Sequence, residues 1–321
     1  MTINPTNLNE TITKSKPNIQ QNTIKAYETN LIKLKKMFES ETYDFLNNVE
    51  EVVEKLKDIK YLSRRNIYNA IIVLLFALNS DERYDELLVS YREIRDALNE
   101  DYVKEQESGI VSDKQSPNRT TTDEIMGMLK EMEKELKPIK KQKEMSKKDF
   151  SLLQAYTLFS IYARMPMRND VAGMKIIKTR EFNKLSKEER EQNNYLLIKK
   201  NDLKFVLNNY KTNKTYKELE LDIVDKPLKR VIKYYLSKNV GGEFLFTTSS
   251  GKPITRVELS KLLIKYSQKY LKKSISTTML RKAYLYKYAA VKKEMENDSK
   301  ILGHDVKNVG LAVYVKEAQE K

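Results

Sequence analysis

Apolar side chains recur at helical spacing over most of this chain. From Asn22 onward, Ile24, Tyr27, Leu31, Leu34 and Phe38 fall three or four apart and predict one amphipathic helix. The same pattern predicts helices over 43–57, 63–78 and 85–105. Ser63 is placed to cap the helix over 63–78, with Arg64 and Arg65 in its first turn. After a polar break, helices are predicted at 122–136 and 147–164. The period then changes. Residues 195–198 form a short apolar run, and 204–210 and 216–223 flank a polar turn at Thr212, Asn213 and Lys214, which predicts a β-hairpin. Residues 243–248 and the Ser249–Pro253 stretch predict a short extended segment and a turn. Helices follow at 227–237, 255–271 and 276–292, with a short piece before Gly303 and a last helix at 306–317. The fold class read from this order is α+β and mostly helical, with a small antiparallel sheet between two groups of helices.

Composition divides the chain further. A length of 321 residues exceeds what one hydrophobic core commonly serves. Residues 1–18 are polar, rich in Asn and Thr, and hold Pro5 and Pro17, so they read as a disordered arm. Residues 19–108 form a helical domain and 109–122 a linker, marked by Gly109, Pro117, Asn118 and three consecutive threonines. Residues 123–321 form the second domain.

Charge changes the picture more than length does. Residues 1–115 carry 16 Lys and Arg against 20 Asp and Glu, whereas residues 116–321 carry 44 against 25. The first part therefore stands near −4 and the rest near +19, which together give the net +15. A basic second domain implies a polyanionic partner, nucleic acid first among them. The chain has no Cys and a single His, which excludes a Cys/His zinc site and a disulfide framework. The apolar run 70–78 is far short of the ~20 residues that span a bilayer. No apolar signal region opens the sequence, and the expected location is intracellular and soluble. The eight glycines form neither a Walker loop nor a dinucleotide fingerprint.

The single histidine lies in Leu302-Gly303-His304, ten residues before Tyr314. Upstream stand Pro166-Met167-Arg168-Asn169-Asp170, Tyr210-Lys211-Thr212 and Thr278-Met279-Leu280-Arg281. Arg168, Lys211, Arg281, His304 and Tyr314, in that order, resemble the catalytic set of the tyrosine recombinases, the phage-integrase family. The Pro-x-Arg-Asn-Asp form looks most like recombinases of large DNA viruses and their virophages, which would place the protein in a host nucleus or cytoplasm. Arg164 competes with Arg168 for the first position, and Lys214 with Lys211 for the hairpin lysine. The family usually has histidine where Thr278 stands, and usually has its tyrosine nine positions after the last histidine rather than ten.

The resemblance implies a helical core-binding domain followed by a catalytic domain, and site-specific cleavage and rejoining of double-stranded DNA without metal or ATP. It implies a homo-tetramer on DNA, and DNA contacts by Lys25, Arg64, Arg65, Lys214 and Lys282. Thr278 lies one turn before Arg281 on a helix and could hydrogen-bond a phosphate oxygen. A type IB topoisomerase, and a DNA-binding protein on the same scaffold with impaired chemistry, remain as alternatives. The chemistry of the set is coherent. Two guanidinium forks bind the non-bridging oxygens of a phosphodiester and stay charged. A free phenol with a pKa of about 10 is mostly neutral at pH 7, so neighbouring arginines would favour its nucleophilic form.

Overall fold

The computed structural model describes residues 2–107, 116–142, 144–200, 202–239 and 242–301, of which the side chains at 106, 107, 296 and 298–301 are not described. Two compact units divide near residue 111. His304, Tyr314, the first half of the expected linker and the helix expected at 306–317 lie outside the described residues.

The N-terminal unit contains α1 (Leu8–Ser15), α2 (Gln21–Met37), a 3-10 turn (Asp44–Asn47), α3 (Val49–Leu56), α4 (Tyr61–Leu78) and α5 (Asp85–Glu107). α4 is the central helix: Ala70, Ile71, Leu74 and Leu75 are fully buried, and α1, α2 and α5 pack around it. A helix apolar on nearly every side must be enclosed in this way. It begins two residues before the expected cap. Lys60 occupies the N-cap position without a side-chain bond, and Ser63 lies inside the helix.

The disordered arm expected at 1–18 is corrected. Asn7 caps α1 by accepting from the Glu10 amide, and Ile12 is buried against Ile24 and Val73. Ile3 is buried in the unit's main core, its carbonyl accepting from the Tyr43 amide at 2.8 Å. The Tyr84 hydroxyl donates to the Thr2 carbonyl at 3.1 Å. Polar composition concealed the two isoleucines, whose burial offsets the entropy of ordering the arm.

The C-terminal unit opens with α6 (Thr122–Ile139), started by a capping box of Thr121 and Glu124. α7 (Lys147–Arg164) is capped by Ser146 and buried continuously from Leu152 to Tyr162. A 3-10 turn (Asn169–Val171), β1 (Lys175–Lys178), α8 (Thr179–Phe182), α9 (Lys187–Glu191), β2 (Tyr195–Lys199), β3 (Asp202–Leu207), α10 (Asn213–Tyr216) and β4 (Leu219–Asp222) follow. The unit ends its described part with α11 (Lys226–Lys238), α12 (Arg256–Leu271), α13 (Thr277–Leu285), a 3-10 turn (Tyr286–Tyr288) and α14 (Ala289–Ile301).

The sheet runs β1-β2-β3-β4. It is mixed rather than antiparallel, because β1 pairs parallel to β2 while the other two pairings are antiparallel. β1 escaped the sequence reading because its run, Lys-Ile-Ile-Lys, is only four residues long. The expected hairpin is present as β3 and β4, but an eleven-residue connection (208–218) containing α10 replaces a tight turn. Alternation places Leu196, Leu203, Phe205 and Leu207 in the main core with α7, and Tyr195, Leu197 and Val206 against Phe182 on the other face. The helix expected at 276–292 is broken by the 3-10 turn at Tyr286–Tyr288.

Ile12→Ala is expected to cost the N-terminal unit about 2–5 kcal/mol, as for any aliphatic side chain removed from a closed core. Ile32→Ala, at a position 48% exposed on α2, serves as control and should change little. Denaturant unfolding followed by circular dichroism checks both. Equal, negligible effects would mean that the arm contributes nothing to this core.

Candidate functional site

α7 stops at Arg164 because Pro166 cannot continue it and holds Met165 extended. The chain then turns so that Arg168 precedes the 3-10 turn in an extended conformation. The buried Tyr162 hydroxyl donates to the Arg168 carbonyl at 2.9 Å. Asn169 Nδ2 donates to Ser260 Oγ on α12 at 3.2 Å. Gly173, at φ +66°, provides the left-handed step that leads from this turn into β1.

Asp170 lies at the centre of the arrangement and is 5% exposed. Its carboxylate is 3.6 Å from the Arg256 guanidinium. Burial raises its pKa, while Arg256, Arg168, Arg281 and the Arg168 backbone N–H work in the opposite direction. Arg256 is thus in ion-pair range of this carboxyl group, and the arginines of the first and second sequence boxes lie near enough to bear on it electrostatically. Arg164 does not take part: its Nε faces Asp225 Oδ1 at 3.2 Å, at the start of α11. Of the two candidates for the first position, Arg168 is the one gathered with Arg281.

Arg281 is half-buried on α13, which Ser276 caps by accepting from the Met279 amide. Leu280 and Ala283 bury the opposite side of the helix. Thr278 and Lys282 lie on the same helix, Thr278 exposed. Arg256 was not singled out by sequence reasoning. The signal was present, since Thr255 and Glu258 form the capping box that fixes Arg256 as the first residue of α12.

The lysine segment begins where β3 ends. Tyr210 is buried, and its hydroxyl donates to the Lys217 carbonyl at 2.9 Å. Burial first, then Tyr216 and Asp170, hold the Tyr210 phenol in its protonated form, so this segment lies within electrostatic reach of Asp170. Asn213 Nδ2 donates to the Asn208 carbonyl at 2.8 Å and closes the loop on itself. Lys211 and Lys214 are both exposed on it.

Asn194 was likewise missed. It is 6% exposed and bonds both to the Asp170 carbonyl and to the backbone of Asn208 and Asn209. Nothing in the sequence distinguishes it from the polar residues around it.

In the N-terminal unit, Lys25 is exposed on α2 and Arg64 and Arg65 are half-buried near the start of α4. The Arg65 guanidinium lies over the Tyr102 ring at 4.4 Å from its centroid. Among the described residues, no three His, Cys, Asp or Glu side chains gather where they could hold a metal ion. No described helix is long and apolar enough to cross a membrane.

The raised pKa of Asp170 has a definite sign. Folding binds its proton more tightly, so the ionised carboxylate lowers stability as pH rises through the folded pKa, and this cost is absent at lower pH. An asparagine side chain at this position would keep an oxygen for the Arg168 amide without the charge. Asp170→Asn is therefore expected to raise the thermal midpoint of the C-terminal unit at pH 7. The gain should shrink as pH falls through the folded pKa. A gain independent of pH, or a loss at pH 7, in calorimetric scans would contradict this balance.

No protein-family model, no curated protein and no solved structure matches this chain.

Proposed function

We propose that this chain is a DNA-cleaving and rejoining enzyme of the tyrosine recombinase type, acting on double-stranded DNA as a homo-tetramer. The observation that carries the reading is the buried carboxyl group of Asp170, with Arg256 at 3.6 Å and Arg168 and Arg281 within electrostatic reach of it. Three arginines near one buried carboxyl group make a locally basic region suited to a phosphate. The Arg168 and Lys211 segments are tied together through Asn194, which bonds to the Asp170 and Asn209 carbonyls, as a phosphate clamp and its proton donor would need. The basic excess of residues 116–321 supplies attraction to the rest of the duplex.

In this reading Arg168 and Arg281 bind the non-bridging oxygens of the scissile phosphate, where charge concentrates in the pentacoordinate transition state. Donors arranged in advance for such charge are each worth about 3–4 kcal/mol. The Tyr314 phenol oxygen, its proton passed toward His304 or solvent, attacks phosphorus. The bond to the 5′-oxygen breaks, and Lys211 delivers a proton to that oxygen. The product is a 3′-phosphotyrosyl link. Attack by a 5′-hydroxyl reverses the step, and because the link conserves the bond energy, rejoining needs no nucleotide. Thr278 contributes a hydroxyl near Arg281, and Lys282 a further cation on α13. Lys25, Arg64, Arg65 and Lys214 serve as contacts to the DNA backbone.

A second reading has one observation in its favour. Thr278 is exposed where the family usually has a histidine, and a threonine is no substitute for a general base near neutral pH. The same scaffold could then bind DNA without cutting it.

Tyr314→Phe is expected to abolish the SDS-resistant protein–DNA adduct on a nicked duplex carrying the natural site while leaving duplex binding intact. Arg168→Lys keeps the charge but loses the fork, and should lower adduct formation by about 10²-fold or more. Arg164→Lys should change it little. Peptide mapping of the adduct identifies the nucleophile. An adduct on another tyrosine would overturn the assignment of Tyr314, and no adduct from the parent protein would favour the binding-only reading.

A further inference from the structure

Asn194 is the side chain that bridges the two segments on which the proposed chemistry depends. Its Nδ2 donates to the Asp170 carbonyl at 2.8 Å and to the Asn209 carbonyl at 3.0 Å. Its Oδ1 accepts from the amides of Asn208 at 2.9 Å and Asn209 at 2.8 Å. Two donors and two acceptor positions are the full capacity of a carboxamide, and all four are used. The side chain is also 6% exposed, so no bond is readily replaced by water. The Asn194 carbonyl accepts from the Lys175 amide at 2.9 Å, which anchors the residue where β1 begins.

The partners of this one side chain are far apart in sequence but close to two candidate catalytic groups. Asp170 is two residues after Arg168, and Asn209 is two residues before Lys211. Both segments lie beyond the ends of the strands that flank them, where the ladder bonds of the sheet stop and side-chain bonds must hold the backbone. A buried polar group with every bond made is rigid, and it transmits that rigidity to the backbone it holds. A displacement of about 1 Å between reacting groups can cost about 10²-fold in rate.

Resting on the recombinase reading, we propose that Asn194 is a positioning residue that sets Lys211 against the Arg168 turn, so that proton delivery to the leaving 5′-oxygen falls in line with the clamped phosphate. Asn194 touches neither phosphate nor nucleophile. It acts through the backbone of Asn208 and Asn209 on one side and of Asp170 on the other.

The test separates proton delivery from the clamp. A duplex whose scissile linkage carries sulfur in place of the 5′-oxygen breaks a P–S bond instead. The sulfur keeps the electron pair as a thiolate, which is stable near neutral pH and needs no proton. Asn194→Asp is the informative variant, because it keeps the size and the acceptor oxygen for Asn208 and Asn209 but loses both donated bonds. Asn194→Ala removes all four. On the ordinary phosphodiester, Asn194→Asp is expected to cut adduct formation by at least about tenfold at unchanged duplex affinity. Lys211→Ala should lose about 10²–10⁴-fold, the usual range for general-acid catalysis. On the sulfur-substituted duplex both variants should return close to the parent rate, whereas Arg281→Ala should stay impaired on both substrates.

Parent-like cleavage of the phosphodiester by Asn194→Asp and Asn194→Ala would overturn the proposal. So would a loss that sulfur does not relieve, as for Arg281→Ala, since Asn194 would then be a general structural residue. If the parent protein forms no adduct on either substrate, the recombinase reading itself fails and the positioning role fails with it.

Discussion

A carboxylate removed from water is stable only where positive charge and donated hydrogen bonds replace its hydration, and Asp170 imposes that condition on the C-terminal unit. It sits in a turn that has no regular structure of its own, immediately after the most buried helix of the unit. The Arg168 backbone N–H, Arg256, Arg168 and Arg281 come to it from three places: its own turn, the first residue of α12 and the second turn of α13. Burial still dominates, which is why its pKa is raised rather than lowered. Arg256 faces this carboxyl group at 3.6 Å, and Arg168 and Arg281 bear on it as nearby charges.

The scaffold around this cluster explains its rigidity. Tyr162, deep in α7, fixes the Arg168 carbonyl, and Asn169 ties the turn to α12 through Ser260. Asn194 joins the same turn to the end of β3. The mixed sheet matters here because β1 leaves the turn and β2 begins one residue after Asn194, so the parallel pairing brings both anchors to the same end of the sheet. The segments that carry Arg168 and Lys211 lie outside the long helices and the strands, and buried polar side chains hold them.

Helices were largely legible in the sequence because their apolar period is long and repeated, as in α2, α7 and α12. The positions of Arg168 and Arg281 could be marked from the residues around them, Pro166 and Asp170 for the first and the Leu280–Arg281 step for the second. Arg256 and Asn194 were not found. A capping box announced where α12 starts, but nothing in the chain says that its first residue faces a carboxylate 86 positions earlier. Asn194 is defined by long-range bonds to Asp170 and Asn208, and such bonds leave no periodic signal. The ordered arm was missed for a related reason: Ile3 and Ile12 are too few to form a pattern, yet each finds a partner core. The four-residue β1 gains its identity only from pairing with β2.

The central claim is that Arg168 and Arg281 act on the charge of one phosphate. The most direct measurement compares adduct formation on two nicked duplexes, one with the ordinary scissile phosphodiester and one with an uncharged methylphosphonate at the same position. If the arginines serve to balance phosphate charge, Arg168→Ala and Arg281→Ala should each lose most of their activity on the phosphodiester and much less on the methylphosphonate. Equal losses on both substrates would contradict the claim and would assign the two arginines to holding the fold rather than the phosphate.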